Sequence, residues 1–292
     1  MNEARTPTTN SLRSTLAASG ALVCPGVYDG ISARIADRLG FRALYLTGYG
    51  AVASSLGLPD AGLASYAEML GRVSMIAATI TVPLIADADT GYGGLLNVER
   101  TVRGYERAGA AAVQLEDQAF PKKCGHTEGR IVIPVEEAVR KIEVAAATRD
   151  SSDFLIVART DARTAHGLDE ALRRADRYLA AGADILFIES PEGVEELRRI
   201  GERFRGSHLL ANMVEGGRTP YLSIEELQAL GFKIGLFPAT GFLAAAAALQ
   251  VAYAHLKSHG SAADAPTALL PFAEMNELMG FPDVYSFERK WQ

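Results

Sequence analysis

The sequence predicts a (β/α)8 barrel of the TIM type, and three observations carry that reading. Eight short apolar runs recur at intervals of a few tens of residues, each is followed by a segment with apolar residues at helical spacing, and polar residues gather at the carboxyl ends of the runs. Eight strand-helix repeats close as a barrel, whose active sites form at the carboxyl ends of the strands. A doubly wound open sheet is the alternative, but the first run lacks the GxGxxG turn that such sheets use for dinucleotides.

Taken in order, the runs are LVCPG near 22, RALYLTG near 42, VPLIADAD near 82, AAVQLED near 111, FLIVARTD near 154, ADILFIES near 183, HLLANMV near 208 and KIGLFPA near 233. Continuous Val/Ile/Leu runs are the mark of strands buried on both faces, and their alternation with helices implies parallel pairing through right-handed crossovers. The intervening helices include NVERTVRGYERAGA, LDEALRRADRYLAAGA and IEELQALG, with Asn97, Asp169 and Ser223 near N-cap positions and glycines near the ends. Residues 1–20 form a polar lead-in. Past the eighth run come an Ala-rich helix, GFLAAAAALQVAYAHLKSHG, a linker rich in Ser, Ala, Asp and Pro, and LLPFAEMNELMGFPDVYSFERKW. This helical extension, 259–292, carries more aromatic surface than a free tail would leave wet, so it is expected to pack on the barrel or on a partner subunit. The whole chain, 1–292, reads as one barrel domain.

Composition narrows the function. The 292 residues are 48% hydrophobic and 22% charged, ordinary for a globular enzyme with a large core. No apolar run reaches the length of a membrane span, and the N-terminus lacks the apolar centre of a secretory signal, which predicts a cytoplasmic protein with no membrane partner. Two cysteines, Cys24 and Cys124, cannot build a disulfide framework. A net charge of −6 with no basic tract argues against nucleic acid.

The strongest motif is DADTGYGG, where an apolar run ends in alternate aspartates and a glycine-rich turn. Residues two apart on a strand face the same side, so Asp87 and Asp89 are expected to aim both carboxylates at one point. Glu116 and Asp117 end the next run and bring further hard oxygen donors to the same rim. Carboxylates without clustered His or Cys favour Mg²⁺, or Mn²⁺, over zinc. In QAFPKKCGHTEGRIV, too polar for a helix, Cys124 stands between Lys122, Lys123 and His126, and positive neighbours favour the thiolate. That segment is expected to be a loop able to close over the site. Cys24, in an apolar strand, is expected to be core. Thr47, Arg159, Asp161, Glu189, Asn212 and Glu215 complete the polar ring at the strand ends.

KKCGH, DADTGYGG, QLEDQ, ARTDA and NMVEGGRTP together resemble the isocitrate lyase and phosphoenolpyruvate mutase superfamily, over about residues 12–258. Within it the chain looks like the branch containing 2-methylisocitrate lyase, 2,3-dimethylmalate lyase and carboxyvinyl-carboxyphosphonate phosphorylmutase. The resemblance implies Mg²⁺ held by Asp87 and Asp89, with Glu116 and Asp60 directly or through water. It implies a substrate-carboxylate loop at Thr47, Gly48 and Tyr49, the last standing where methylisocitrate lyases commonly have glycine. It assigns Cys124 and Gly125 to a gating loop, Arg159, Glu189 and Asn212 to substrate binding, and Tyr45 to proton handling. It further implies an eighth-strand helix exchanged between subunits, in dimers or tetramers. The expected reaction is retro-aldol cleavage of a 2-hydroxy di- or tricarboxylate to pyruvate or another 2-oxo acid plus a carboxylate, with phosphorus-carbon chemistry and oxaloacetate hydrolysis or decarboxylation as alternatives.

Overall fold

A computed structural model describes residues 11–125, 127 and 129–292. Eight strands, β1 (Leu22–Val27), β2 (Leu44–Leu46), β3 (Leu84–Asp87), β4 (Ala112–Glu116), β5 (Leu155–Thr160), β6 (Ile185–Ile188), β7 (His208–Asn212) and β8 (Ile234–Phe237), pair in parallel in sequence order, and β8 returns to β1 to close the ring. The helices are α1 (Leu12–Ala17), α2 (Gly30–Arg38), α3 (Gly48–Leu56), α4 (Tyr66–Ala77), α5 (Leu95–Arg107), α6 (Val135–Thr148), α7 (Ala162–His166), α8 (Leu168–Ala180), α9 (Val194–Arg203), α10 (Ile224–Ala229), α11 (Thr240–His259), α12 (Phe272–Met279) and α13 (Phe281–Trp291). The predicted barrel is therefore the observed one.

Strand residues of alternate parity feed two cores. One lies between strands and helices and includes Leu46, Ala86, Val113, Ile156 and Leu186. The other fills the barrel with Leu22, Cys24, Tyr45, Ile85, Leu155 and Phe187, among others. Cys24 is fully buried there, and burial pushes its thiol far up, so it is core as expected.

Several local expectations need correction. The polar lead-in contains α1, whose Leu12 and Leu16, four residues apart on one face, are 0% and 1% exposed and join the interior cluster from below. The lead-in's residues 1–10 lie outside the described ones. Ser223 caps α10 in a reciprocal box with Glu226, as predicted. Asn97 is instead the third residue of α5, accepting from the Gly94 amide. Asp169 is the second residue of α8, whose cap is Gly167 at φ 83, a backbone conformation that glycine reaches without strain.

The C-terminal extension docks on the barrel only in part. Arg34 of α2 donates to the Leu278 carbonyl of α12 at 3.3 Å, docking that helix on the barrel, and Leu278 is buried. Neither α11 nor α13 has a buried residue, and Tyr253, Phe272, Phe287 and Trp291 are exposed. Among the described residues no helix is long and apolar enough to cross a membrane.

Candidate active site

A cavity of roughly 300 Å³ opens at the carboxyl ends of the strands. Tyr45, Thr47, Tyr49, Asp60, Asp87, Glu116, Cys124, Gly125, Arg159, Glu189 and Asn212 line it, which brings together most of the residues singled out from the sequence. Gly48 packs beneath: a Cβ there would stand 2.5 Å from the Asp87 Oδ2, so only glycine lets α3 start this close to the carboxylate. Asp89 lies just behind, buried, and touches the group through Lys122.

The two aspartates converge by a different route from the one strand alternation suggested. Asp87 is the last residue of β3, whereas Asp89 lies beyond the strand at φ 49 and donates its amide to the Asp87 Oδ1 at 3.0 Å. A left-handed turn, rather than the pleat, aims the second carboxylate. Lys122 is 3% exposed, and its ammonium bridges Asp60 and Asp89, the latter at 2.6 Å. From the sequence it is expected only as a positive neighbour of Cys124. Burial opposes its charge, but Asp89, Glu116, Asp60 and Asp87 outweigh burial and push its pKa well above the lysine range. Burial in turn raises Asp87, raises Asp89 to about 7 and pushes Glu116 well above the usual carboxylate range, with Lys122 or Arg159 offsetting only part. Four carboxylates share one ammonium, and the Glu116 Oε1 is buried with no hydrogen-bond partner among the described residues. The all-oxygen donor set and that orphaned atom fit a hard divalent cation. As they stand, no three His, Cys, Asp or Glu side chains among the described residues form a ready coordination shell. The Lys122 ammonium holds two of the four carboxylates, so cation binding would require it to yield.

Next around the ring, Arg159 is held as a fork. Its Nε and Nη2 donate to the two oxygens of Asp161 at 2.9 Å each, with Glu116 at 3.4 Å and Glu189 at 3.3 Å, and its guanidinium lies over the Phe187 ring at 5.0 Å. Because the Nε edge is committed to Asp161, the Nη1–Nη2 edge is the one able to meet a carboxylate. Asp161 is itself shared with buried Arg130 at 2.5 Å. The Asn212 amide donates to the Glu189 Oε2 at 3.1 Å. Across the mouth, the Thr47 amide is spent on the Val27 carbonyl, so the donors of that loop are the amides of Gly48 and Tyr49 in the first turn of α3, which has no side-chain cap.

Tyr45 is buried and donates to the Gln114 Oε1 at 2.8 Å, while Gln114 Nε2 reaches the Asp87 Oδ1 at 3.3 Å. Burial first, and then the Asp87 charge, push the phenol well above its usual pKa. Tyr45 is thus a neutral hydrogen-bonding group in this arrangement, donating to Gln114.

The loop carrying Cys124 is pinned at both feet. Gln118 pairs with Val132 in an isolated antiparallel bridge, and the Gln118 side chain both donates to the Lys123 carbonyl at 2.8 Å and accepts from its amide at 3.0 Å. The Cys124 amide donates to the Asp60 carbonyl at 3.2 Å, and Ser190 Oγ donates to the Gly125 carbonyl at 3.1 Å. A Cβ at Gly125 would overlap the Arg159 Nη2 and stand 2.8 Å from the Glu189 Oε2, so glycine is what lets the loop press against the site. The thiol faces the cavity, half-buried. His126 lies outside the described residues.

Asp117 belongs elsewhere. It accepts from Thr160, the Asp161 amide, Arg174 and Tyr178 at 2.7 to 3.0 Å, pegging β4 and β5 to α8 on the outside of the barrel. Adjacent strand residues face opposite ways, so Glu116 inward requires Asp117 outward. By the same parity Gln114 faces inward with Glu116, a signal present in AVQLE that the sequence reading passed over. Arg130 carried no local signal, since its partner Asp161 is distant in sequence.

Fold and site together define a (β/α)8 barrel enzyme whose strand ends gather hard oxygen donors, an arginine and a loop thiol around a small cavity. The chain belongs to the family described as phosphoenolpyruvate phosphomutase, which matches residues 12–257. It is 49% identical over 284 residues to 2,3-dimethylmalate lyase of Eubacterium barkeri, covering 97% of this chain and 98% of that one. It is 44% identical over 272 residues to 2-methylisocitrate lyase of Aeropyrum pernix, covering 93% and 87%. Among solved structures, oxaloacetate acetylhydrolase in complex with 3,3-difluorooxalacetate superposes with a TM-score of 0.92 at 38% identity, covering 96% of this chain and 95% of that one.

Proposed function

We propose that this protein is a metal-dependent carbon-carbon lyase that splits a 2-hydroxy di- or tricarboxylate, of the 2,3-dimethylmalate or 2-methylisocitrate type, into pyruvate or another 2-oxo acid and a carboxylate. The observation that carries the reading is the meeting, in one cavity, of an acidic hard-oxygen cluster, Arg159 and the Cys124 loop. Enzymes of this superfamily depend on a metal. Mg²⁺, or Mn²⁺, fits Asp87, Asp89, Glu116 and Asp60, and when bound it would supply Lewis acidity toward the 2-hydroxy carboxylate.

The chain's own residues do the rest. The Nη1–Nη2 edge of Arg159 and the first-turn amides of α3 bind carboxylate, Glu189 and Asn212 hold Arg159 and the loop in place, and Tyr45 donates or accepts a hydrogen bond without ionising. As the bond between C2 and C3 breaks, the 2-hydroxyl gives its proton to a carboxylate of the buried cluster and C2 becomes the carbonyl carbon, the bonding pair passes to C3, and Cys124 delivers a proton there. The pinned loop keeps water from that carbanion.

A coupled lactate dehydrogenase assay over 2,3-dimethylmalate, 2-methylisocitrate and isocitrate, with Mg²⁺ present, tests the reading by pyruvate or glyoxylate release. Silence on all three refutes it. Oxaloacetate is a second reading, favoured by the close superposition on the acetylhydrolase, and oxalate release from added oxaloacetate, measured by a separate oxalate assay, would select it. We further propose that residues 1–292 form one barrel domain with 259–292 as its helical extension, and that the protein is cytoplasmic. The uncovered apolar faces of α11 and α13 support a homo-oligomer in which the helix after β8 is exchanged between subunits.

A further inference from the structure

The cavity has two unlike halves. Asp87, Glu116, Lys122, Arg159 and Glu189 come from β3 to β6 and the loop after β4. In a ring of eight strands in sequence order, the ends of β8, β1 and β2 lie opposite. Beyond Tyr45 and Thr47 at the end of β2, that side is lined by Tyr49, Val214, Pro238, Phe242 and Leu243. Phe242 is wedged between Tyr49, at a centroid distance of 5.3 Å, and Tyr28, edge-on at 6.3 Å, which makes it a stiff apolar wall. All lysines and arginines lining the cavity, Lys122, Lys123 and Arg159, stand on the polar half. The one charged lining group on the apolar half is Glu215, which accepts from Thr240 through one oxygen, while the other is buried with no hydrogen-bond partner among the described residues.

We infer that the Tyr49–Phe242–Leu243 wall seats an uncharged alkyl branch of a dicarboxylate and that Glu215 turns away a third carboxylate, an inference that rests on the reading of this cavity as a carboxylate site. The physical argument is one of unpaired charge. One carboxylate finds donors at Arg159 on the polar half, and a second finds them at the Gly48 and Tyr49 amides in the first turn of α3. A third, projecting toward β8, meets an aromatic face, an aliphatic rim and a like charge, and a buried anion without a partner is costly. A methyl group in the same place gains contact with Phe242 and Leu243, and one methylene in such a pocket is worth about 10- to 200-fold in discrimination. The substrate class is thereby narrowed to short 2-hydroxy dicarboxylates with apolar substituents, and Leu243 and Glu215 become the residues that set the choice.

The test uses unreactive probes, so that binding is read apart from turnover. Calorimetry on the full-length, Mg²⁺-loaded protein compares succinate, 2,3-dimethylsuccinate and propane-1,2,3-tricarboxylate. Dimethylsuccinate is expected to bind at least about 10-fold more tightly than either of the others. Leu243→Arg, at a rim position that is 43% exposed and so tolerates a long side chain, is expected to reverse the order for the tricarboxylate. Glu215→Gln should improve tricarboxylate binding several-fold, by about the strength of one like-charge contact. Equal binding of the three probes, a preference for the tricarboxylate, no binding at all, or a Leu243→Arg protein with unchanged order overturns the inference. Absence of oxo-acid release with the binding order intact would instead remove the lyase reading and leave this one standing.

Discussion

Asp161→Asn is expected to weaken the fold and blunt the site together, because one buried carboxylate serves two buried arginines. In the wild type Asp161 accepts from Arg159 Nε and Nη2 at 2.9 Å and from Arg130 at 2.5 Å, and the side chains of Asp161 and Arg130 are 0% and 1% exposed. Arg159 retains Glu116 and Glu189, but Arg130 is left with Thr164 as its side-chain partner, and its Nε is already without one among the described residues. Stranding one charge of a buried pair costs about 3–5 kcal/mol. At roughly 2 °C per kcal/mol for a chain of this size, the melting temperature should fall by about 6–10 °C. Although burial opposes it, Arg159 and Arg130 hold the Asp161 pKa below its usual value. A carboxylate with a lowered folded pKa stabilises above its unfolded value, near 3.9, and loses that contribution as pH falls through the folded one. The wild-type advantage over Asp161→Asn should therefore be constant from about pH 5 to 8 and shrink below about pH 4. Differential scanning calorimetry across that range is the assay. A variant melting within about 1 °C of wild type at pH 7 would refute the claim that Asp161 neutralises both arginines.

Other outcomes follow from the same geometry. Cys124→Ala should fold and bind metal normally but lose about 10²- to 10⁴-fold in turnover, read by the coupled assay beside a melting curve. Gln114→Leu leaves the buried Tyr45 hydroxyl without its acceptor, and should cost about 1–3 kcal/mol in denaturant unfolding. Gly48→Ala drives a methyl against Asp87, so calorimetric titration with Mn²⁺ should show weakened binding while circular dichroism stays native. Leu16→Ala empties part of the barrel floor and should cost about 2–5 kcal/mol, measured by urea unfolding.

Much of this was legible in the chain, for identifiable reasons. Barrel strands are short apolar runs with polar tips, so the eight elements and the inward Glu116, Arg159, Glu189 and Asn212 could be placed from sequence alone. What was not legible depended on turns and long-range pairing. The φ of 49 at Asp89 is set by the turn that follows β3, and no residue pattern states it. Lys122 reads only as a loop cation beside Cys124 until Asp60, 62 residues earlier, is folded against it. Arg130 reaches Asp161 across 31 residues in the same way. Asp117 and Gln114 are different: parity along β4 was enough to send one outward and the other inward. The two leucines of α1 were hidden in a stretch whose average is polar, because an average erases a four-residue period.

The helix beneath the barrel has a bearing on traffic. With Leu12 and Leu16 stoppering the floor, the interior is a blind alley, and both fragments of a cleaved molecule must depart through the doorway by which the parent arrived. Whichever fragment is lodged deeper is trapped until the shallower one has gone, so departure is sequential by architecture, and each product should inhibit with its own distinct kinetic pattern.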